Sequence, residues 1–256
     1  STSGVEDLSY DALILAPGAV AIRPPLPGLD SPRVRTLRTV ADAVTLKKWV
    51  DDGATRGVVL GAGFIGLEAA EALRHRGLEV DVVELAPHVL PPLEREMASV
   101  VTTQLRNLGI RVHAGVAAES VEVGDDEDVV VLADGTRIPT DLVVLSVGVR
   151  PDTAFVETAG IETARGAIVV DDRGRTSAEG VWAAGDAVIS TDAVTGVQRP
   201  VPLAGPANRA GRLIADDIFG MAGGRPIPQP VGTAIVRVGE ITAVMTGANR
   251  ASLDAA

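Results

Sequence analysis

The chain has 256 residues, 46% hydrophobic, 22% charged and only 2% aromatic, with a net charge of -11 and no cysteine. That length suffices for one large domain or two small ones with a sizeable core. The acidic balance argues against a nucleic-acid partner, and without cysteine the chain has no disulfide framework or thiol nucleophile. His75, His88 and His113 form no metal-like spacing, and no metal site is expected. No apolar run reaches the roughly 18 residues of a membrane span, and no basic segment leads into an apolar stretch as in a signal peptide. The expectation is a cytoplasmic protein with no membrane partner. A core this poor in aromatics must be built from Val, Leu, Ile and Ala, which suits a buried parallel sheet.

Residues 10–15 (YDALIL) read as a buried strand closed by Pro17 and Gly18. Pro24, Pro25 and Pro27 mark an extended connector. Thr39 can cap a helix over 40–52, stopped by Gly53. A βαβ unit follows, with a strand at 57–60, a helix from Phe64 to Arg76 ended by Gly77, and a strand at 79–84. A helix over 94–108 ends at Gly109. Residues 110–139 alternate apolar and polar positions, with a turn signal at Asp134 and Gly135, and read as a small antiparallel insert. The buried strand 142–146 comes next, then strands at 167–170 and 180–184, a helix over 205–220, and a linker carrying Pro226, Pro228 and Pro230. Residues 232–247 alternate like a hairpin turning at Gly239 and Glu240.

Residues 11–18 (DALILAPG) and 141–148 (DLVVLSVG) share one pattern, an acid, a short apolar strand and a glycine at equal spacing. Two such strands suggest two related nucleotide-binding units. Any buried strand ending in a glycine turn would look the same. Neither Ser1 nor Ala256 falls at a natural boundary, and the chain reads as a piece of a longer protein.

Gly61, Gly63 and Gly66 have the G-x-G-x-x-G spacing between an apolar strand and an amphipathic helix. Gly61 permits the tight turn, Gly63 lets a pyrophosphate approach the backbone, and Gly66 lets helix and sheet sit close. The helix N-terminus offers free N–H groups and partial positive charge to phosphates. Glu84 closes the next strand, 23 positions after Gly61, where the motif expects an acid for the adenosine ribose. Leu85, Ala86, Pro87 and His88 follow it with no arginine, which favours NAD(H) over NADP(H). Glu68, on the first turn, either complements the helix dipole or faces the nicotinamide. Gly185 and Asp186 close a second strand, where a carboxylate can accept a sugar hydroxyl or simply cap a turn.

Together the stretches YDALILAPGA (10–19), GVVLGAGFIGLEAAEAL (57–73), DLVVLSVGVRP (141–151), TSAEGVWAAGDAV (176–188) and PLAGPANRAGRLIADDI (202–218) resemble the FAD-dependent pyridine nucleotide–disulfide oxidoreductases. PLAGPANRAGR is most similar to the coenzyme A disulfide reductase and NADH oxidase branch. The resemblance implies an α/β, Rossmann-like FAD/NAD(P)-binding fold, a parallel sheet flanked by helices with a small antiparallel insert. It implies a partial FAD-binding domain at 1–36 and 151–229, an NAD(H)-binding domain at 37–150 and the start of a C-terminal dimerisation domain at 230–256.

By the same resemblance, Gly61, Gly63 and Gly66 hold the NADH pyrophosphate and Glu84 the ribose, with Phe64, Ile65, Glu68 and Gly148 near the nicotinamide. Ala16, Gly18, Gly185 and Asp186 lie along FAD, and Leu203 and Ala204 approach the flavin ring. No residue here is expected to be a catalytic acid or base. The family's first glycine motif and its redox cysteine are absent from these 256 residues. The implied activity is hydride transfer from NADH to FAD, then on to a disulfide such as coenzyme A disulfide, O2 or peroxide. The implied partners are a small-molecule acceptor or redox protein and a second copy in a homodimer. A ferredoxin reductase-like enzyme needing no cysteine, and a stand-alone NAD-binding module without turnover, are the alternatives.

Overall fold

A computed structural model describes residues 4, 6–221 and 225–254. Its contacts divide the chain into two compact units. The larger comprises the described residues of Val20–Val149 and Thr233–Ala255, and the smaller those of Ser1–Ala19 and Arg150–Gly232. The larger unit thus takes in residues 20–36 and 233–254 as well as the 37–149 stretch.

The larger unit is built on a five-stranded sheet in the order Val34–Thr36, Leu142–Leu145, Arg56–Leu60, Glu79–Glu84, Ile110–Ala114. All four pairings are parallel. Its central strands are nearly continuous apolar runs because both faces are covered. On one face, Val80, Val82 and Val144 pack with Leu67, Ala70 and Leu73 of the helix Phe64–His75 and with Val101 and Leu105 of the helix Arg95–Asn107. On the other, Val58, Leu60, Val83, Val143 and Leu145 meet Val121, Val130, Leu132 and Ile138. Those four come from an antiparallel meander of Ala118–Glu122, Asp128–Leu132 and Arg137–Thr140.

The helix Val40–Asp51 starts as its sequence dictates. Thr39 accepts from the Asp42 N–H while Asp42 accepts from the Thr39 N–H, a capping box. Gly77 and Gly109, with φ of 91° and 80°, end the next two helices.

One expectation is corrected here. Ile110–Ala114 is not part of the antiparallel insert but the fifth parallel strand, in register from Val80 opposite Ile110 to Glu84 opposite Ala114. It is an edge strand, less covered than the central ones, and its sequence alternates apolar and polar residues (Ile110, Arg111, Val112, His113) as an antiparallel strand's would. The insert begins at Ala118.

Residues 234–245 form the expected hairpin, Ala234–Val238 against Ile241–Met245. Val236 and Val238 are buried in the helical-face core of this unit, and the Gly239 N–H donates to the Glu71 carboxylate at 3.1 Å.

The smaller unit pairs Leu13–Leu15 with Val181–Ala183 in parallel. Around them Val156, Ile161, Ile168, Val181 and Ala183 form a core. The helix Ala204–Ile218 is tied to this sheet through Asp217, which accepts from Arg173, from Arg175 and from the Trp182 indole N–H. The Arg175 guanidinium holds the Asp217 carboxyl below its ordinary range, with Trp182 and Arg173 helping. Both copies of the sequence repeat are strands of parallel sheets closed by a left-handed glycine, Gly18 with φ 73° and Gly148 with φ 119°. Among the described residues, no helix is long and apolar enough to cross a membrane.

Candidate dinucleotide-binding site

The strand Arg56–Leu60 delivers the chain into Gly61, whose φ of 102° only glycine adopts readily. A Cβ there would also lie 2.5 Å from the Ser146 carbonyl oxygen. Gly63 caps the helix Phe64–His75 with no side-chain hydrogen bond to its first turn, so those N–H groups remain available. A Cβ on Gly63 would meet no heavy atom within 4 Å. The backbone is therefore bare toward open space at the position where a phosphate would approach. Gly66 faces inward: a Cβ there would fall 1.9 Å from the Gly61 carbonyl oxygen and 2.7 Å from Ser146 Oγ. Gly61 makes the tight turn and Gly66 the close approach of helix to turn that the spacing predicts, while Gly63 has no neighbour on the side a Cβ would take.

Glu84 ends the neighbouring parallel strand and comes back over the turn. Its Oε2 accepts the Ala62 N–H and its Oε1 the Ala86 N–H, both at 2.7 Å. The Gly61 N–H donates to the Val83 carbonyl at 2.8 Å. Ser146 closes the turn from the other side, its hydroxyl lying 3.0 Å from the carbonyl oxygens of Leu60 and Gly61. Above these groups opens a cavity of about 570 Å³, lined by Gly61, Gly63, Glu84, Leu85, Ser146 and Gly148 together with an apolar wall from Ile22, Pro24, Leu26 and Val116. The site lies at the carboxyl ends of parallel strands, where open α/β sheets take ligands. A bare turn at a helix N-terminus fits a pyrophosphate, the carboxylate fits vicinal hydroxyls, and the apolar wall fits a base.

Of the residues expected along the nicotinamide nucleotide, Gly61, Gly63, Glu84 and Gly148 come together on this cavity, with Gly66 packed beneath the turn. Phe64 instead packs against the helical-face core, and Ile65 and Glu68 are exposed on the helix; none of the three lines the cavity. The sequence did not point to Ser146 or to the apolar wall.

In the smaller unit, Ala16 and Gly18 follow the strand Leu13–Leu15, and Gly185 and Asp186 follow Val181–Ala183. The parallel register, Leu15 opposite Ala183, brings both segments out at one end of the pair. The Ala184 N–H donates to the Leu15 carbonyl at 3.0 Å, and Gly185 turns with φ 83°. Asp186 is half-buried in the short 3-10 turn Gly185–Ala187. Leu203 caps the helix Ala204–Ile218 with no side-chain bond, leaving the amides from Ala204 onward uncapped by any side chain. Two strand ends with left-handed glycines, a carboxylate and a helix N-terminus fit the sugar-like and ring portions of a flavin nucleotide. The sequence carries a single G-x-G-x-x-G turn, in the larger unit, so this unit offers no equivalent for the flavin pyrophosphate. Among the described residues, no cluster of three or more His, Asp or Glu side chains could hold a metal.

The chain is similar to the NADH oxidase of Methanocaldococcus jannaschii, 35% identical over 244 residues, which cover 94% of this chain and 54% of that protein. It is 36% identical over 180 residues to the biphenyl dioxygenase system ferredoxin–NAD(+) reductase component of Paraburkholderia xenovorans, covering 70% of this chain and 44% of that one. Among solved structures, the NAD-dependent persulfide reductase from A. fulgidus superposes with a TM-score of 0.94 at 38% identity, over 98% of this chain and 46% of that one. The chain thus spans about half the length of the relatives it matches. The sequence profile described as pyridine nucleotide-disulphide oxidoreductase matches residues 1–211, and with the glycine turn, the strand-end Glu84 and the parallel sheets in place, the chain belongs to that family.

Proposed function

We propose that this chain binds NAD(H) in its larger unit and is the nicotinamide-nucleotide portion, with part of the flavin portion, of an NADH-dependent flavoprotein oxidoreductase. The observation that carries this is the meeting of Gly61, Gly63 and Glu84 on one cavity, with the backbone of Gly63 open. In this proposal Gly61 and Gly63 admit the pyrophosphate to the N–H groups of the helix Phe64–His75, and Gly66 sets the approach of helix to turn. Glu84 accepts from the adenosine ribose hydroxyls, and its charge disfavours a 2′-phosphate. Gly148, on the cavity, flanks the nicotinamide end, and the proposal extends that end to Phe64, Ile65 and Glu68 near the start of the helix, outside the cavity lining.

FAD is the second cofactor of the proposal. Ala16, Gly18, Gly185 and Asp186 would hold its sugar-like chain, and Leu203 and Ala204 its ring. The uncapped helix N-terminus at Leu203 favours negative charge there. When both nucleotides are bound, NADH supplies a hydride and FAD accepts it; this chain's residues bind and orient them.

The acceptor we propose is a disulfide such as coenzyme A disulfide, O2 or peroxide. The NADH oxidase and persulfide reductase support this choice, since their similarity runs over 94% and 98% of the chain. A redox-protein acceptor is the second reading, favoured by the ferredoxin reductase similarity over 70% of it. A cytoplasmic homodimer belongs to the same proposal. The test is the full-length protein carrying this chain. Bound flavin absorbance and NADH oxidation with one of these acceptors are the expected result. A protein with no flavin and no NADH turnover overturns the enzyme reading and leaves the module that binds without reacting.

A further inference from the structure

We propose that Glu84 is a positioning residue for the phosphate turn itself, a strut that holds the Ala62 peptide before any nucleotide arrives. This rests on the nucleotide-site reading above. Ala62, the residue between the two first glycines, is fully buried. Its amide groups are both taken by one neighbouring segment. Glu84 Oε2 accepts its N–H at 2.7 Å, and the Leu90 N–H donates to its carbonyl at 2.9 Å. The other Glu84 oxygen accepts the Ala86 N–H at 2.7 Å, fixing the start of that segment. Leu90 makes its contact from a left-handed conformation, φ 47°, unusual for a buried leucine. Such a conformation persists only where the surroundings over-determine it, and these cases cluster at binding sites.

A carboxylate is needed for the strut. It accepts through both oxygens, and bonds this short from N–H to a charged oxygen are the strong kind. It offers about four lone-pair sites; two backbone N–H groups leave room for ribose hydroxyls, so both roles are compatible. A glutamine has a single acceptor oxygen and would leave one N–H facing an NH2 group. The buried Ala62 N–H would then be orphaned, or the loop at Ala86 released. One consequence concerns cofactor exchange. Replacing Glu84 to admit a 2′-phosphate would also loosen the turn that binds every phosphate, so the variant loses affinity for NADH without gaining comparable affinity for NADPH.

The test uses ADP and 2′,3′-dideoxyadenosine diphosphate, which lacks the hydroxyls a ribose-binding acid would touch. Both are titrated calorimetrically into the wild type and Glu84→Gln, with the thermal midpoint of each protein recorded. The strut predicts that Glu84→Gln weakens the dideoxy ligand by about fivefold or more, in a protein that still unfolds cooperatively with its midpoint lowered by a few degrees. If the variant binds the dideoxy ligand within about twofold of wild type while losing ADP, Glu84 acts on the ribose alone and the inference is overturned. If the wild type binds neither ADP nor NADH, the nucleotide-site reading fails and takes the inference with it. Should Glu84→Gln not fold, the wild type suffices: without nucleotide, through-hydrogen-bond scalar couplings should join the Ala62 and Ala86 amide nitrogens to the Glu84 side-chain carboxyl carbon, and their absence overturns the strut.

Discussion

In Gly63→Ala, the added methyl group enters space with no heavy atom within 4 Å, at φ -76° and ψ -171°, a conformation alanine adopts freely. The folded protein should hardly notice it. Alanine is a poorer N-cap than glycine by about 0.5–1 kcal/mol, and the stiffer unfolded chain returns roughly 0.4–1 kcal/mol. The two nearly cancel, which in a chain this long keeps the thermal midpoint within about 2 °C. A pyrophosphate, by contrast, must bring an oxygen to about 2.9 Å from the turn's N–H groups, through the space that methyl fills. Losing one charge-assisted hydrogen bond costs about 1.5–3 kcal/mol, or roughly 10- to 100-fold in Kd. Calorimetric titration of NADH alongside thermal unfolding measures both quantities on the same sample. Undiminished NADH affinity in Gly63→Ala would refute the assignment of this turn to phosphate.

The neighbouring Gly66→Ala should do the reverse, because its Cβ falls 1.9 Å from the Gly61 carbonyl oxygen; the overpacking costs about 2 kcal/mol or more, read as a lowered urea midpoint without ligand. Asp141 ties the starts of two central strands by accepting from the Thr55 and Arg56 N–H groups and the Arg56 guanidinium. Burial pushes its carboxyl up, but these donors outweigh it and hold the group at about 2 against an ordinary 3.8. Its contribution, roughly 2 kcal/mol, is therefore full above about pH 4 and lost as pH falls toward about 2. Asp141→Asn should lower stability at neutral pH and flatten that acid limb, as urea unfolding across this range would record. Asp217→Ala should cost about 1–3 kcal/mol, since it strips the Trp182 indole N–H and two arginines of their acceptor; retained stability would contradict the tie it makes between helix and strand.

What the sequence made legible follows from how local each signal is. The turn at Gly61–Gly66 and the strand Glu79–Glu84 were readable because each glycine and the terminal acid answer a local steric or chemical demand. Thr39 and Asp42 announce their own helix start for the same reason. Ile110–Ala114 misled because burial pattern reports how much of a strand is covered, not which way its partner runs. The alternation in 232–247 showed that the hairpin has a buried side, but not that Val236 and Val238 would meet the helices of the larger unit. The cavity wall was illegible because Ile22 and Pro24 lie far from Val116 in the chain and meet it only in the fold. Leu90 gave no sign either, since a leucine advertises a core position and not a left-handed backbone.

The central claim is that the larger unit of this chain is built for NADH. Calorimetric titration of NADH and NADPH into the chain tests it most directly. Saturable NADH binding with Kd in the range of about 1 μM to 1 mM, and NADPH at least about tenfold weaker because Glu84 would face its 2′-phosphate, is the predicted result. No saturable NADH binding, or NADPH bound as tightly, would contradict it.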